Sequence, residues 1–257
     1  STIALGFSVF LIYYYDTFGA LISLVLAPVF VFFISLFYLR NLISFSEVFS
    51  ITSFDFSVVK NLSEYVLMAL VSGVIGSFVL LEIRTDVIEI TGLKNAGIYE
   101  GLQRISSYYL LFISSIMAIY FYPKLAETNS NTKVIILNYF KTILPVFAIG
   151  LVLIYVLRTF IIRVLFSIEF ESMETLFLWQ LVGDLLKATS LIFGTILIAT
   201  KQTKVFIITE IISLFILYYS SNWMLHAIGI NGIVMAHTFT YFMYLLVLVI
   251  YFRKTIR

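Results

Sequence analysis

The sequence predicts an all-α membrane protein, a polytopic bundle of eight transmembrane helices. Three observations carry that statement. Hydrophobic residues make up 61% of the 257 residues, charged residues only 12%, and the mean hydropathy is +1.07. A soluble domain carries roughly a quarter charged residues. The apolar residues gather in eight runs, most of them near the length of about 20 residues that crosses a hydrocarbon core. The runs are too evenly apolar for alternating barrel strands, so each is read as a helix whose backbone bonds itself.

The expected spans are 2–15, 18–39, 62–83, 105–122, 139–160, 176–200, 205–224 and 229–252. Aromatic clusters mark several ends, as in Tyr13-Tyr14-Tyr15, Tyr120-Phe121-Tyr122 and Tyr218-Tyr219, where interfacial rings belong. Ser72-Gly73 and Gly76-Ser77 give the third span a small face that a neighbouring helix can approach. Pro28 and Pro145 lie inside spans and are expected to kink them. The linkers leave no room for a soluble domain. Position 1 is Ser and the chain is apolar from Ile3. The chain therefore reads as the later part of a longer protein, with no signal-peptide pattern before it.

Charge asymmetry orients the bundle. The linkers around 40–61, 123–142 and 200–204 and the C-terminal end hold ten Lys/Arg (40, 60, 124, 133, 141, 201, 204, 253, 254, 257) against four acids. The opposite linkers hold five Lys/Arg (84, 94, 104, 158, 163) against eight acids (16, 82, 86, 89, 100, 169, 171, 174). The positive-inside rule then places the C-terminus in the cytoplasm.

Several classes are excluded. There is no cysteine, so disulfides and thiolate metal sites are absent. A net charge of +2, dispersed along the chain, gives no nucleic-acid surface. No Walker A, HExxH, GxSxG or EF-hand pattern occurs, so neither ATP hydrolysis nor another enzyme activity is indicated and no metal or cofactor is expected.

What remains is charge at membrane depth. Asp184 and Lys187 lie in one span and Glu210 in the next. Ionisable groups there face a polar cavity or a partner. Asp184 and Lys187 are three apart, so they share a helix face and can either pair with each other or line a substrate path. Glu210 can answer Lys187 across a helix interface or exchange a proton or cation. His237 reads as an imidazole in an interhelical hydrogen bond. Arg84 and Arg104 stand at two helix ends among Glu82, Asp86, Glu89 and Glu100. They either pair with those acids or form a bidentate anion clamp at a cavity mouth. Arg158 and Arg163 end the fifth span and are expected at the outer headgroups.

Three stretches resemble one family. AGIYEGLQRISSYYLLFISSIMAIYFYPKLAE (96–127) has the family's Ala-Gly followed by an aromatic, its basic residue before Ile-Ser and its Tyr-x-Pro-x-Leu-Ala close. LRTFIIRVLFSIEFES (157–172) and WQLVGDLLKATS (179–190) follow in the family's order. Together they resemble the bacterial Wzx-type polysaccharide flippases of the multidrug/oligosaccharidyl-lipid/polysaccharide exporter superfamily, in the O-antigen and enterobacterial-common-antigen branch. The similarity extends over about 60–257.

The resemblance implies two six-helix lobes around a central cavity, in a bacterial inner-membrane protein. It places 1–42 as the last two helices of the N-terminal lobe and 43–257 as the C-terminal lobe. It implies flipping of an undecaprenyl-diphosphate-linked oligosaccharide of the O-antigen repeat type from cytoplasmic to periplasmic leaflet by alternating access. Arg84, Arg104, Asp184, Lys187 and Glu210 would then be the polar substrate-binding set. A polysaccharide polymerase and a chain-length regulator would be partners. The rival readings are a cation-coupled multidrug or small-metabolite antiporter of the same superfamily and an O-antigen polymerase or ligase. No linker is long enough for the loop such enzymes carry.

Overall fold

A computed structural model describes residues 2–39, 56–127 and 131–256. The described residues are helical with no strand, and six helices among them are long and apolar enough to cross a membrane. The protein is an all-α polytopic membrane protein. Its chain divides into two compact units, Ser1–Val58 and Val59–Arg257. The expected lobe boundary at 42/43 lies outside the described residues.

In the first unit, helix α1 (Thr2–Leu39) leaves helical dihedrals at Asp16 (φ 47°, ψ −131°). The break is a reversal. Phe7 and Phe30 stack at 5.8 Å between ring centroids, whereas 23 residues of straight helix would separate them by about 35 Å. Gly19 lies so close to the Leu11 carbonyl that a Cβ would overlap it. The two arms on either side of Asp16 are the first two expected spans. Pro28 causes no departure from helical dihedrals.

The second unit begins with α2 (Phe56–Leu70), which runs through a π-turn at Val71–Ile75 into α3 (Gly76–Ile116). Ser72 donates to the Met68 carbonyl at 3.0 Å, a back-bond that loosens a helix beside Gly73. Gly92 breaks α3 at φ 83°, ψ 164°, a conformation open essentially to glycine alone. Arg84 and Glu100 meet at 2.8 Å across the break, although 16 residues of straight helix span about 24 Å. So α3 is a hairpin with an outgoing arm (76–91) and a returning arm (93–116). The residues 84–104, expected as a linker, are mostly these arms.

Two further π-turns, Met117–Phe121 and Tyr139–Ile143, precede α4 (Tyr122–Ala126) and α6 (Leu144–Leu165), with α5 (Thr132–Asn138) between. Each has a proline behind it. Pro123 and Pro145 cannot donate and crowd the carbonyls of Ile119 and Lys141, four residues back. Both carbonyls fall inside the π-turns, whose wider turn accommodates the ring. A 3₁₀ segment (Ile168–Leu176) leads into α7 (Phe177–Ala199), followed by α8 (Thr203–Ile228) and α9 (Ile230–Ile256).

Helix α7 is the most buried of the long helices. Phe177, Ala188, Ile192 and Leu197 are fully buried in the main core, with Ile113, Tyr139 and Leu248 from the elements around it. The exterior is aliphatic and aromatic, as at Phe112, Val152, Phe160 and Phe215, as a surface facing lipid requires.

Candidate functional site

The polar residues of the second unit form two sites on opposite faces of the returning arm. Leu102, Ser106 and Ile113 of this arm are buried and Tyr109 is half-buried, whereas Arg104, Ser107, Tyr108 and Leu111 are exposed. This is the division expected of an amphipathic helix.

The inner site centres on Asp184 of α7, with 0% of its surface exposed. Ser106 donates to its Oδ2 at 2.6 Å, and the Tyr109 hydroxyl donates to the same oxygen. Gln180, one turn earlier, donates from Nε2 at 3.2 Å to Oδ2. His237 of α9 faces Oδ1 with Nε2 at 2.9 Å. A carboxylate only accepts, so the imidazole proton belongs on Nε2. Four donors from three helical segments thus fill the roughly four lone-pair sites of one carboxylate. A buried carboxylate needs such partners.

Glycine at 183 makes this geometry possible. A Cβ there would overlap the His237 ring and lie 3.2 Å from the Thr238 Cα. Without it α9 lies against α7, and Thr238 donates to the Trp179 carbonyl at 2.6 Å.

Asp184 and Lys187 share a helix face but do not pair: the basic side chain within 4.0 Å of the Asp184 carboxylate is the His237 imidazole, at 2.9 Å. The Lys187 ammonium lies 5.2 Å from the centre of the Tyr241 ring, a cation–π arrangement. Lys187 also lines a recess of about 280 Å³ with Ser107, Ser114 and Leu191. Among the described residues no carboxylate lies within 4.0 Å of it, that of the half-buried Glu210 included.

The outer site lies near the hairpin break. Arg84 from the outgoing arm and Arg104 from the returning arm both reach Glu100, at 2.8 and 3.8 Å. Their side chains are 53% and 73% exposed. With Gln103 and Ser107 they line a recess of about 180 Å³. Ser107 belongs to this recess and to that of Lys187. Gln103 bonds the outer site to the inner one, donating to Gln180 Oε1 at 3.0 Å.

Of the other basic residues, Arg158 donates to the Tyr155 carbonyl at 2.8 Å and lies over the Tyr155 ring. Arg163 lines a recess of about 260 Å³ with Glu171 and Glu174. Among the described residues no group of His, Cys, Asp and Glu has the arrangement of a metal site. His237 makes the interhelical hydrogen bond expected of it, whereas nothing in the sequence marks Ser106, Tyr109 or Gln180 by charge. Their only signal was polarity at the spacing of one helix face, and Gln180 stands four before Asp184.

Fold and sites together define a polytopic helical membrane protein with a satisfied polar core and a basic recess beside it. The chain is 31% identical over 195 residues to a protein named Lipid III flippase of Escherichia coli (strain K12), and equally to the one of Shigella flexneri. The alignment covers 75% of this chain and 47% of each relative, so the chain spans about half the length of the curated relatives it matches. No family model matches the chain, and no solved structure does.

Proposed function

We propose that the protein is a flippase for lipid-linked oligosaccharides, of the Wzx type within its superfamily. It acts in the bacterial inner membrane with the C-terminus in the cytoplasm and is not an enzyme. The observation that carries this reading is the 31% identity to the two Lipid III flippases over 75% of the chain. In this reading 43–257 is the C-terminal lobe and 1–42 belongs to the N-terminal lobe. Rocking of the lobes exposes the substrate to each leaflet in turn. The substrate is an undecaprenyl diphosphate bearing an O-antigen-type repeat unit, handed on to a polymerase and a chain-length regulator.

Each polar residue has a role in this scheme. A diphosphate cannot enter hydrocarbon without replacing its water. Arg84 and Arg104 supply planar donor forks suited to phosphate oxygens. Lys187 supplies a point charge in the neighbouring recess, which shares Ser107 with theirs. Asp184 holds α7, α9 and the returning arm together, and Glu210 balances the charge of Lys187.

The cation-coupled antiporter reading is weaker. Of the two carboxylates it would use as an ion site, Asp184 and Glu210, the first has its lone pairs filled by protein donors.

Arg84→Ala in the full-length protein is expected to abolish surface-polysaccharide assembly at normal membrane abundance. Normal glycan ladders would refute the reading. For the orientation, a cysteine at Ser172 should react with an impermeant thiol reagent in intact spheroplasts and one at Glu127 should not; the reverse pattern would invert the topology.

A further inference from the structure

We infer that Glu100 is a built-in counter-anion, a carboxylate that occupies the phosphate position between Arg84 and Arg104 and is displaced by the diphosphate of an incoming lipid. The inference rests on the flippase reading for the identity of that lipid, but the anion site itself stands on geometry.

One carboxylate is divided between two guanidinium groups. Its Oε2 lies 2.8 Å from Arg84 Nη2, and its Oε1 lies 3.8 Å from Arg104 Nε. Each oxygen faces a different arm of the α3 hairpin, as two oxygens of a bridging phosphate would. The remaining polar residues that line the recess are Tyr99, Gln103 and Ser107, so among the described residues Glu100 is its only carboxylate. A recess with two arginines and further donors suits an anion, and in the resting protein Glu100 supplies one.

The strengths of the interactions favour exchange. The pair is open to water, with 53%, 73% and 33% of the Arg84, Arg104 and Glu100 side chains exposed, and exposed pairs contribute little. A diphosphate carries more charge and can take both forks in bidentate fashion. Glu100 therefore keeps the arginines apart and oriented without holding them against a better ligand. It also discriminates. A singly charged headgroup gains little over the carboxylate it replaces, whereas a diphosphate gains more. Gln103, which lines the same recess, donates to Gln180 beside Asp184 and so ties the recess wall to the core that joins α7 to the returning arm.

The test measures inorganic pyrophosphate binding to the purified full-length protein in nanodiscs. Glu100→Gln removes the competitor and should tighten binding roughly fivefold, the scale of one exposed pair. Glu100→Asp keeps the charge on a shorter arm that cannot reach both guanidinium groups, and should give a smaller gain. Adding Arg84→Ala to Glu100→Gln should erase the gain. Binding by Glu100→Gln that equals or falls below wild type overturns the inference, as does binding by none of the proteins.

Competition by a polyprenyl diphosphate, but not by phosphatidylglycerol, assigns the site to the diphosphate headgroup. Equal competition by the phospholipid overturns that assignment. If Glu100→Gln shows the gain while Arg84→Ala exports glycan normally, the anion site stands and the transport reading fails.

Discussion

Asp184 and Glu100 are both carboxylates that meet basic or donor groups from neighbouring helices, yet one is fixed and the other exchangeable. Asp184 is fully buried and accepts from Ser106, Tyr109, Gln180 and His237. The Glu100 side chain is 33% exposed and shares two arginines that are more exposed still. Breaking a buried, saturated set leaves several donors without partners and costs several kcal/mol. Breaking an exposed pair costs under about 1 kcal/mol. The proposed flippase would use both kinds: a joint that holds helices together and a contact that a ligand can open.

The largest effect should come from Asp184→Asn, which turns one acceptor oxygen into a donor among four donors. The expected loss is about 3 kcal/mol of stability, read as a fall in the thermal unfolding midpoint and in membrane abundance. The double change Asp184→Asn/Lys187→Met should not repair it. Lys187 sits over Tyr241, and the partners of Asp184 lie elsewhere. Restored abundance in the double variant would show that Asp184 and Lys187 neutralise each other and would dissolve the contrast.

Next comes Gly183→Ala. The added methyl meets the His237 ring and, at 3.2 Å, the Thr238 Cα, so α9 must retreat from α7 at a cost of about 2 kcal/mol. His237→Ala removes a donor to Asp184 and is itself destabilising, but on that background the added methyl should cost less than in the wild type and still something, because the Thr238 backbone stands in the way. A methyl that costs nothing on the His237→Ala background, by thermal unfolding of single and double variants, would locate the clash entirely in the ring.

Gly92→Ala tests the hairpin that brings Arg84 to Glu100. The position needs φ 83°, which an L side chain adopts at a cost of about 1–3 kcal/mol. A moderate drop in the unfolding midpoint is expected, with weaker pyrophosphate binding because the arms move apart. An unchanged midpoint and unchanged binding would mean that the reversal does not depend on glycine.

The two sites were not equally legible in the sequence. Arg84, Arg104 and Glu100 carry charge, so they stood out at once, and their convergence needed only the break that Gly92 supplies. Span existence was legible from apolar length. Helix ends were not: the charges of 84–104 read as a linker, whereas helix continues through them on both sides of the break at Gly92. Asp184 stood out too, but its partners did not. Ser106, Tyr109 and Gln180 are neutral, and spans contain many such residues with no partner across a helix. The nearest charge, Lys187, drew attention as a partner by spacing alone. Distance across the α7–α9 interface decided for His237, and that distance depends on the missing Cβ of Gly183.

The smallest expected change in stability separates function from fold most sharply. Arg84→Lys keeps the positive charge, and the ammonium can still approach Glu100, so the unfolding midpoint should shift by no more than about 0.5 kcal/mol. What is lost is the fork: lysine offers a compact point charge where arginine offers two parallel donors to two phosphate oxygens. If the outer recess holds a diphosphate, Arg84→Lys should impair glycan export and weaken pyrophosphate binding while the fold is untouched. If Arg84 merely closes the hairpin through Glu100, the lysine should serve nearly as well and export should be normal. Export measured at matched membrane abundance, beside the unfolding midpoint, decides between the two. Impaired export with an intact fold would give Arg84 a role in binding ligand beyond closing the hairpin.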